Sequence, residues 1–200
     1  MNTESKELRW AILTTGWGNS AVKAIEAFNE GALNGSNIVL LVYESEPSGA
    51  AEIAKKSGIE TLKIERDKFD SQVAFQRKLS EELKSREIDY IFMLAFKYII
   101  KDEMLNMFPN RIINIHPSLF PSFLATKTAI QDALDYGVKV SGVTTHIIDD
   151  KIDEGIILCQ EVIKFKEEDT FDTLYPKFTK KGKKATIDTM NLIYKQHYNK

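Results

Sequence analysis

The sequence is poor in the residues that announce a metal centre, a redox site or a disulfide framework. Cys159 is the only cysteine among 200 residues, which excludes an internal disulfide and any zinc site built from several thiolates. That scarcity predicts a reducing, intracellular setting. Histidine is nearly as rare, with His116, His146 and His197 the three in the chain. Charge of one sign is missing too: 27 Lys+Arg stand against 29 Asp+Glu, so nothing global points to nucleic acid, an anionic membrane or an acidic tail. The longest apolar run, Tyr90 to Ile100, has eleven residues and is broken by Lys97. A membrane span requires ~20. The opening residues Met1 to Glu7 have neither the basic region nor the apolar region of an export signal, so a cytoplasmic protein with small-molecule partners is expected.

What is present suits one α/β domain over residues 1–200, with 1–9 expected as a flexible extension. Apolar content of 43% and charged content of 28% fit a soluble core. A chain of this size buries roughly 70% of the surface it exposes when unfolded. Short apolar runs at Leu8–Thr15, Asn37–Tyr43, Ile59–Ile64, Ile88–Phe96 and Arg111–His116 read as strands, and helical patterns follow at 21–29, from Pro47 to Gly58 and from Asp70. In the last of these Phe75, Leu79 and Leu83 recur every four residues on one face. Near-continuous apolar strands argue burial on both sides, as in an open, doubly wound, mostly parallel sheet. Val138–Ile148 and Gly155–Phe165 form a β-rich, hairpin-like extension, and a terminal helix runs from Asp169 to about Tyr194 with Pro176 in its first two turns.

Ligands of such sheets bind at the carboxyl ends of the strands. Gly16, Gly18, Asn19 and Ser20 lie between the first strand and its helix, the placement in which backbone N–H groups hold a phosphate. The same loop also suits a plain turn packing strand against helix. At the end of the fifth strand, alternation puts Asn114 and His116 on one face. An amide beside an imidazole is what a carbonyl oxygen that becomes negative requires. The loop between the last two strands carries Asp149, Asp150, Asp153 and Glu154, and Asp153 is singled out by the Gly155 that lets the chain turn after it. A carboxylate in that place would orient or charge the imidazole. The lysine-rich run from Lys177 to Lys184 reads as a solvated helix face.

Asn114-Ile115-His116-Pro117-Ser118, Gly142-Val143-Thr144-Thr145-His146 and Ile152-Asp153-Glu154-Gly155 together resemble the formyltransferase family, over about Trp10 to Lys195. The resemblance implies a Rossmann-like fold and direct transfer of a formyl group from 10-formyltetrahydrofolate to an amine, that of glycinamide ribonucleotide in purine synthesis. It gives Asn114, His116 and Asp153 the catalytic roles and His146 and Ser118 supporting ones. It also implies a folate slot lined by Phe96, Tyr98, Ile99, Ile100, Ile148, Asp149 and Asp150, with no metal, in a monomer or homodimer. On the acceptor side the match is incomplete. The phosphate loop is a residue longer and carries Trp17, a family glycine and histidine are missing over 122–128, and a family glutamate falls near Gly182. Transfer to another amine such as an amino-sugar nucleotide, hydrolysis of formyltetrahydrofolate, and a non-catalytic binding paralogue remain open at this point.

Overall fold

A computed structural model describes residues 7–198. In chain order the elements are β1 (Leu8–Leu13), α1 (Asn19–Asn29), β2 (Ser36–Tyr43), α2 (Gly49–Lys56), β3 (Glu60–Lys63), a short 3₁₀ turn (Arg66–Lys68), α3 (Gln72–Ser85), β4 (Tyr90–Met93), α4 (Asp102–Met107), β5 (Ile112–His116), α5 (Ala129–Tyr136), β6 (Val140–Ile147), β7 (Ile157–Lys164) and α6 (Phe171–Tyr198). They build one seven-stranded sheet in the order β3-β2-β1-β4-β5-β6-β7. The first five strands are parallel, and β6 and β7 run antiparallel, which is the hairpin-like extension expected from the alternating runs.

Alternation along the central strands feeds two cores. Trp10, Ile12, Phe92 and Ile113 pack with Ile25 of α1 and Met190 and Ile193 of α6. On the other face Ala11, Leu13, Ile91 and Ile112 meet Phe75, Leu79 and Leu83 of α3 and Met104 of α4. Full burial of each of those three α3 side chains contributes about 2 kcal/mol. A third cluster, Val143, Ile163, Phe165, Leu174 and Phe178, fastens β6 and β7 to α6. No helix among the described residues is long and apolar enough to cross a membrane.

Several boundaries differ from the sequence reading. Leu8 and Arg9, expected in a flexible extension, belong to β1, and Glu7 is an exposed residue just before it; residues 1–6 of that extension lie outside the described residues. The fourth strand stops at Met93 instead of Phe96. Its chain is turned out of the sheet at Ala95, whose φ is 59°, and the carbonyls of Leu94 and Ala95 accept the hydroxyls of Thr14 and Thr15, both at 2.7 Å. Helices α4 and α5 were not expected, since six and eight residues give too few turns to repeat an apolar period. Helix α2 starts after Ser48 rather than at Pro47 because the Ser48 hydroxyl accepts the Ala51 N–H, and α3 is opened in the same way by Ser71.

Candidate active site

β5 brings Asn114 and His116 to its carboxyl end, and the antiparallel pairing with β6 sets Asn114 opposite His146. Asp153 arrives from the β6–β7 connection. Its φ of 58° lies in the left-handed region, which Asp tolerates better than most residues. Gly155 closes that connection through a close approach: a Cβ there would stand 1.7 Å from the Ile147 carbonyl oxygen. The result is a buried cluster. His116 Nδ1 lies 3.3 Å from Asp153 Oδ2, His146 Nε2 lies 3.6 Å from Asp153 Oδ1, and Asn114 Nδ2 lies 3.3 Å from His146 Nε2.

Two backbone groups from the segment after β5 complete it. The Ala125 N–H donates to Asp153 Oδ2 at 3.0 Å, and His116 Nε2 donates to the Phe123 carbonyl at 2.9 Å. With the proton assigned to Nε2 by that acceptor, Nδ1 turns a lone pair toward the carboxylate. Burial pushes His116 below the usual imidazole range against the opposing pull of the Asp153 charge. For Asp153 burial acts upward, but the His146 hydrogen bond, the His116 charge and the Ala125 N–H outweigh it and hold the carboxyl below its ordinary value. At neutral pH the cluster is therefore a neutral imidazole beside a carboxylate. A second proton on His116 Nδ1 would find its acceptor already in place.

The two expected supporting residues sit differently. His146 is fully buried and packs its ring on Phe120, with centroids 4.9 Å apart. Ser118 faces away from the cluster: its hydroxyl donates to the Ser122 carbonyl at 2.7 Å, and its own carbonyl accepts the Thr144 hydroxyl. It shapes the turn that delivers Phe123.

All seven residues expected to line a donor slot, Phe96, Tyr98, Ile99, Ile100, Ile148, Asp149 and Asp150, share one cavity of about 140 Å³. Asn114 and Asp153 line the same cavity, so the slot opens onto the cluster. Glu44, which the sequence reading passed over, holds its mouth by accepting the Tyr98 hydroxyl and pairing with Lys97 at 2.8 Å. Gln76 was also missed. It is buried in α3, and its amide donates to the Ile99 carbonyl at 2.7 Å and accepts the Lys101 N–H at 3.0 Å.

The glycine loop is brought together only in part. Gly16 and Gly18 have φ of 64° and 79°, and no side chain caps α1. Gly18 is required by packing, since a Cβ on it would stand 2.7 Å from the Ala50 Cβ. The Trp17 indole rests on Gly49 at the start of α2. Of the four loop residues, Ser20 alone lines the cavity of about 240 Å³ that lies between α1 and α6 beside Ala95 and Pro117. Ile115 lines it too. Alternation thus sets this cavity and the donor slot on opposite faces of β5, with His116 at the end between them. Nor is the lysine run merely solvated: Lys177, Lys181 and Lys184 pair with Asp169 and Glu161, and Lys183 reaches Glu30, which follows α1. A larger cavity of about 710 Å³, beside Tyr90, Asn110 and His197, lies away from these groups.

A buried amide, imidazole and carboxylate between two cavities suit acyl-type transfer between two small molecules. The chain is 30% identical over 83% of its length to phosphoribosylglycinamide formyltransferase of Bacillus subtilis, covering 84% of that protein. Among solved structures, glycinamide ribonucleotide transformylase 1 from Symbiobacterium toebii superposes with a TM-score of 0.92 at 26% identity, over 98% of this chain and 92% of that one. Phosphoribosylglycinamide formyltransferase from Bacillus halodurans gives 0.89 at 29% identity, over 96% and 97%. Residues 8–190 match the model of one family. By that match the chain belongs to the formyl transferase family.

Proposed function

We propose that this chain transfers the formyl group of 10-formyltetrahydrofolate to the amine of glycinamide ribonucleotide, with Asn114, His116 and Asp153 as its catalytic residues. The observation that carries the reading is that Asn114 and Asp153 line the slot expected for the folate and also belong to the cluster around His116. The neutral amine attacks the formyl carbon and gives a tetrahedral intermediate with a negative oxygen. The Asn114 amide donates to that oxygen. A proton leaves the attacking amine and passes, through water and Asp153, to His116 Nδ1, and the Nε2–H of the ring turns from the Phe123 carbonyl to the oxyanion, the stronger acceptor. Asp153 stabilises the imidazolium and, as the intermediate collapses, returns that same proton through water to the departing folate nitrogen. The pterin and benzoyl parts of the donor would lie along Phe96, Ile100 and Ile148, and the acceptor in the cavity beside Ser20 and Pro117.

The test is release of tetrahydrofolate from 10-formyltetrahydrofolate with glycinamide ribonucleotide, amino-sugar nucleotides or water as acceptor. Turnover is expected with the ribonucleotide. Turnover with a sugar nucleotide alone, or with water alone, would overturn the acceptor. His116→Ala should lower kcat/KM by ~10²–10⁴, the usual contribution of a positioned acid–base group. A loss of only a few-fold would remove His116 from the chemistry.

A further inference from the structure

Gly182 stands in the interior of the 28-residue helix α6, where neither conformation nor packing asks for glycine. Its φ is outside the left-handed region, and a Cβ built on it would meet only Ile115 Cδ1 at 3.7 Å, an ordinary contact. Glycine in a helix interior is destabilising relative to alanine, because it loses more backbone freedom. What it supplies here is space. Gly182 forms part of the wall of the 240 Å³ cavity between α1 and α6.

Two cations stand in the same wall, Lys23 from α1 and Lys183 from α6, and no carboxylate is among its lining residues. Each ammonium is paired with a glutamate, Lys23 with Glu26 of α1 at 2.8 Å and Lys183 with Glu30, the residue after α1, at 3.0 Å. These pairs are partly exposed, and such pairs are weak and exchange partners readily. Both lysines can therefore turn inward on flexible stems when a stronger anion arrives. Beneath them the floor is apolar, made by Ile115, Val143 and Phe178.

We propose that Gly182, Lys23 and Lys183 determine acceptor selectivity: Gly182 leaves the width that the acceptor's body occupies, and the two lysines leave their glutamates for its phosphate. This rests on the formyl-transfer reading for the identity of the occupant. The residues named bind and position; they do not touch the reacting carbonyl.

Steady-state kinetics on the full chain, with 10-formyltetrahydrofolate and glycinamide ribonucleotide, test it. Gly182→Leu should raise the acceptor KM about 10-fold while the donor KM stays within two-fold, since it fills the acceptor side alone. Gly182→Ala separates space from folding: helix propensity predicts a Tm at or above that of the unaltered chain, by roughly 2 °C, together with a raised acceptor KM. The double variant Lys23→Met/Lys183→Met should raise the acceptor KM by about 10- to 100-fold, for two lost charge-assisted contacts. Calorimetric titration of ribose 5-phosphate into the same proteins gives a readout independent of turnover, with binding expected in the unaltered chain and lost in the double variant. Loss of that binding with no formyl transfer by the unaltered chain would overturn the reaction and leave the anion site standing. Transfer with an unchanged acceptor KM in all three variants would overturn the selectivity assignment and leave the reaction.

Discussion

Asp153 joins His116, His146 and the Ala125 N–H through two oxygens, so its charge and its shape can be separated by one substitution. Asparagine keeps the shape and tolerates a φ of 58°, so Asp153→Asn should fold normally. Its effect on His116 follows from the opposing influences there. Burial lowers the imidazole pKa and the carboxylate raises it, so removing the charge leaves burial less opposed. Titration of the His116 Cε1 proton by NMR should show a midpoint below the ordinary value of about 6.5 in the unaltered chain, and lower again in Asp153→Asn. A midpoint that rises on substitution would mean that Asp153 is not the group holding the proton on the ring. Asn114, His116 and Asp153 were legible in the sequence, because Asn-x-His at a strand end and an acid before glycine are patterns of residue type, whereas His146 was marked only by the resemblance to the family. Phe123 and Ala125 were not legible. They act through backbone atoms, and their φ values of 52° and 55° leave no mark on the residues chosen.

At the scale of elements, α3 does more than cover the sheet. Its apolar spacing announced the buried face, and Phe75, Leu79 and Leu83 are all buried on it. The periodicity said nothing of Gln76, which is 2% exposed on the same side of the helix and reads in the sequence as one more polar helix residue. Gln76 bridges the Ile99 carbonyl and the Lys101 N–H, and so fixes the segment that gives the donor slot Ile99 and Ile100. Gln76→Leu keeps the volume and deprives the Lys101 N–H of its acceptor, while the Ile99 carbonyl keeps only the Gln72 amide at 2.6 Å. An unpaired buried polar group costs about 1–3 kcal/mol. Stability should fall by that order in urea unfolding, and the donor KM should rise several-fold while the acceptor KM holds. Equal effects on both substrates would show that the slot does not depend on this grip. The unexpected length of β4 has a similar origin: tertiary hydrogen bonds from Thr14 and Thr15, rather than residue type, end the strand.

For the whole molecule, the buried cluster links stability to pH in one direction. The folded pKa of His116 lies below its unfolded value, so between the two the unfolded chain binds the extra proton and stability falls as pH drops below about 6.5. The folded pKa of Asp153 is also depressed. Its contribution is complete above the unfolded carboxyl value near 3.9 and is lost as pH falls through the folded one. Asp169, lowered to about 2 chiefly by its Lys177 hydrogen bond, adds a loss over the same acid range at the start of α6. Residue type sets the identity of each of these groups and not its surroundings, and the pH dependence comes from the surroundings. Thermal unfolding should accordingly show a Tm that declines from pH 7 to pH 5 through His116, and more steeply below pH 4 through the carboxylates. His116→Gln, which cannot titrate, should flatten the upper part of that profile and keep the lower. An upper slope unchanged in His116→Gln would assign it to some other group.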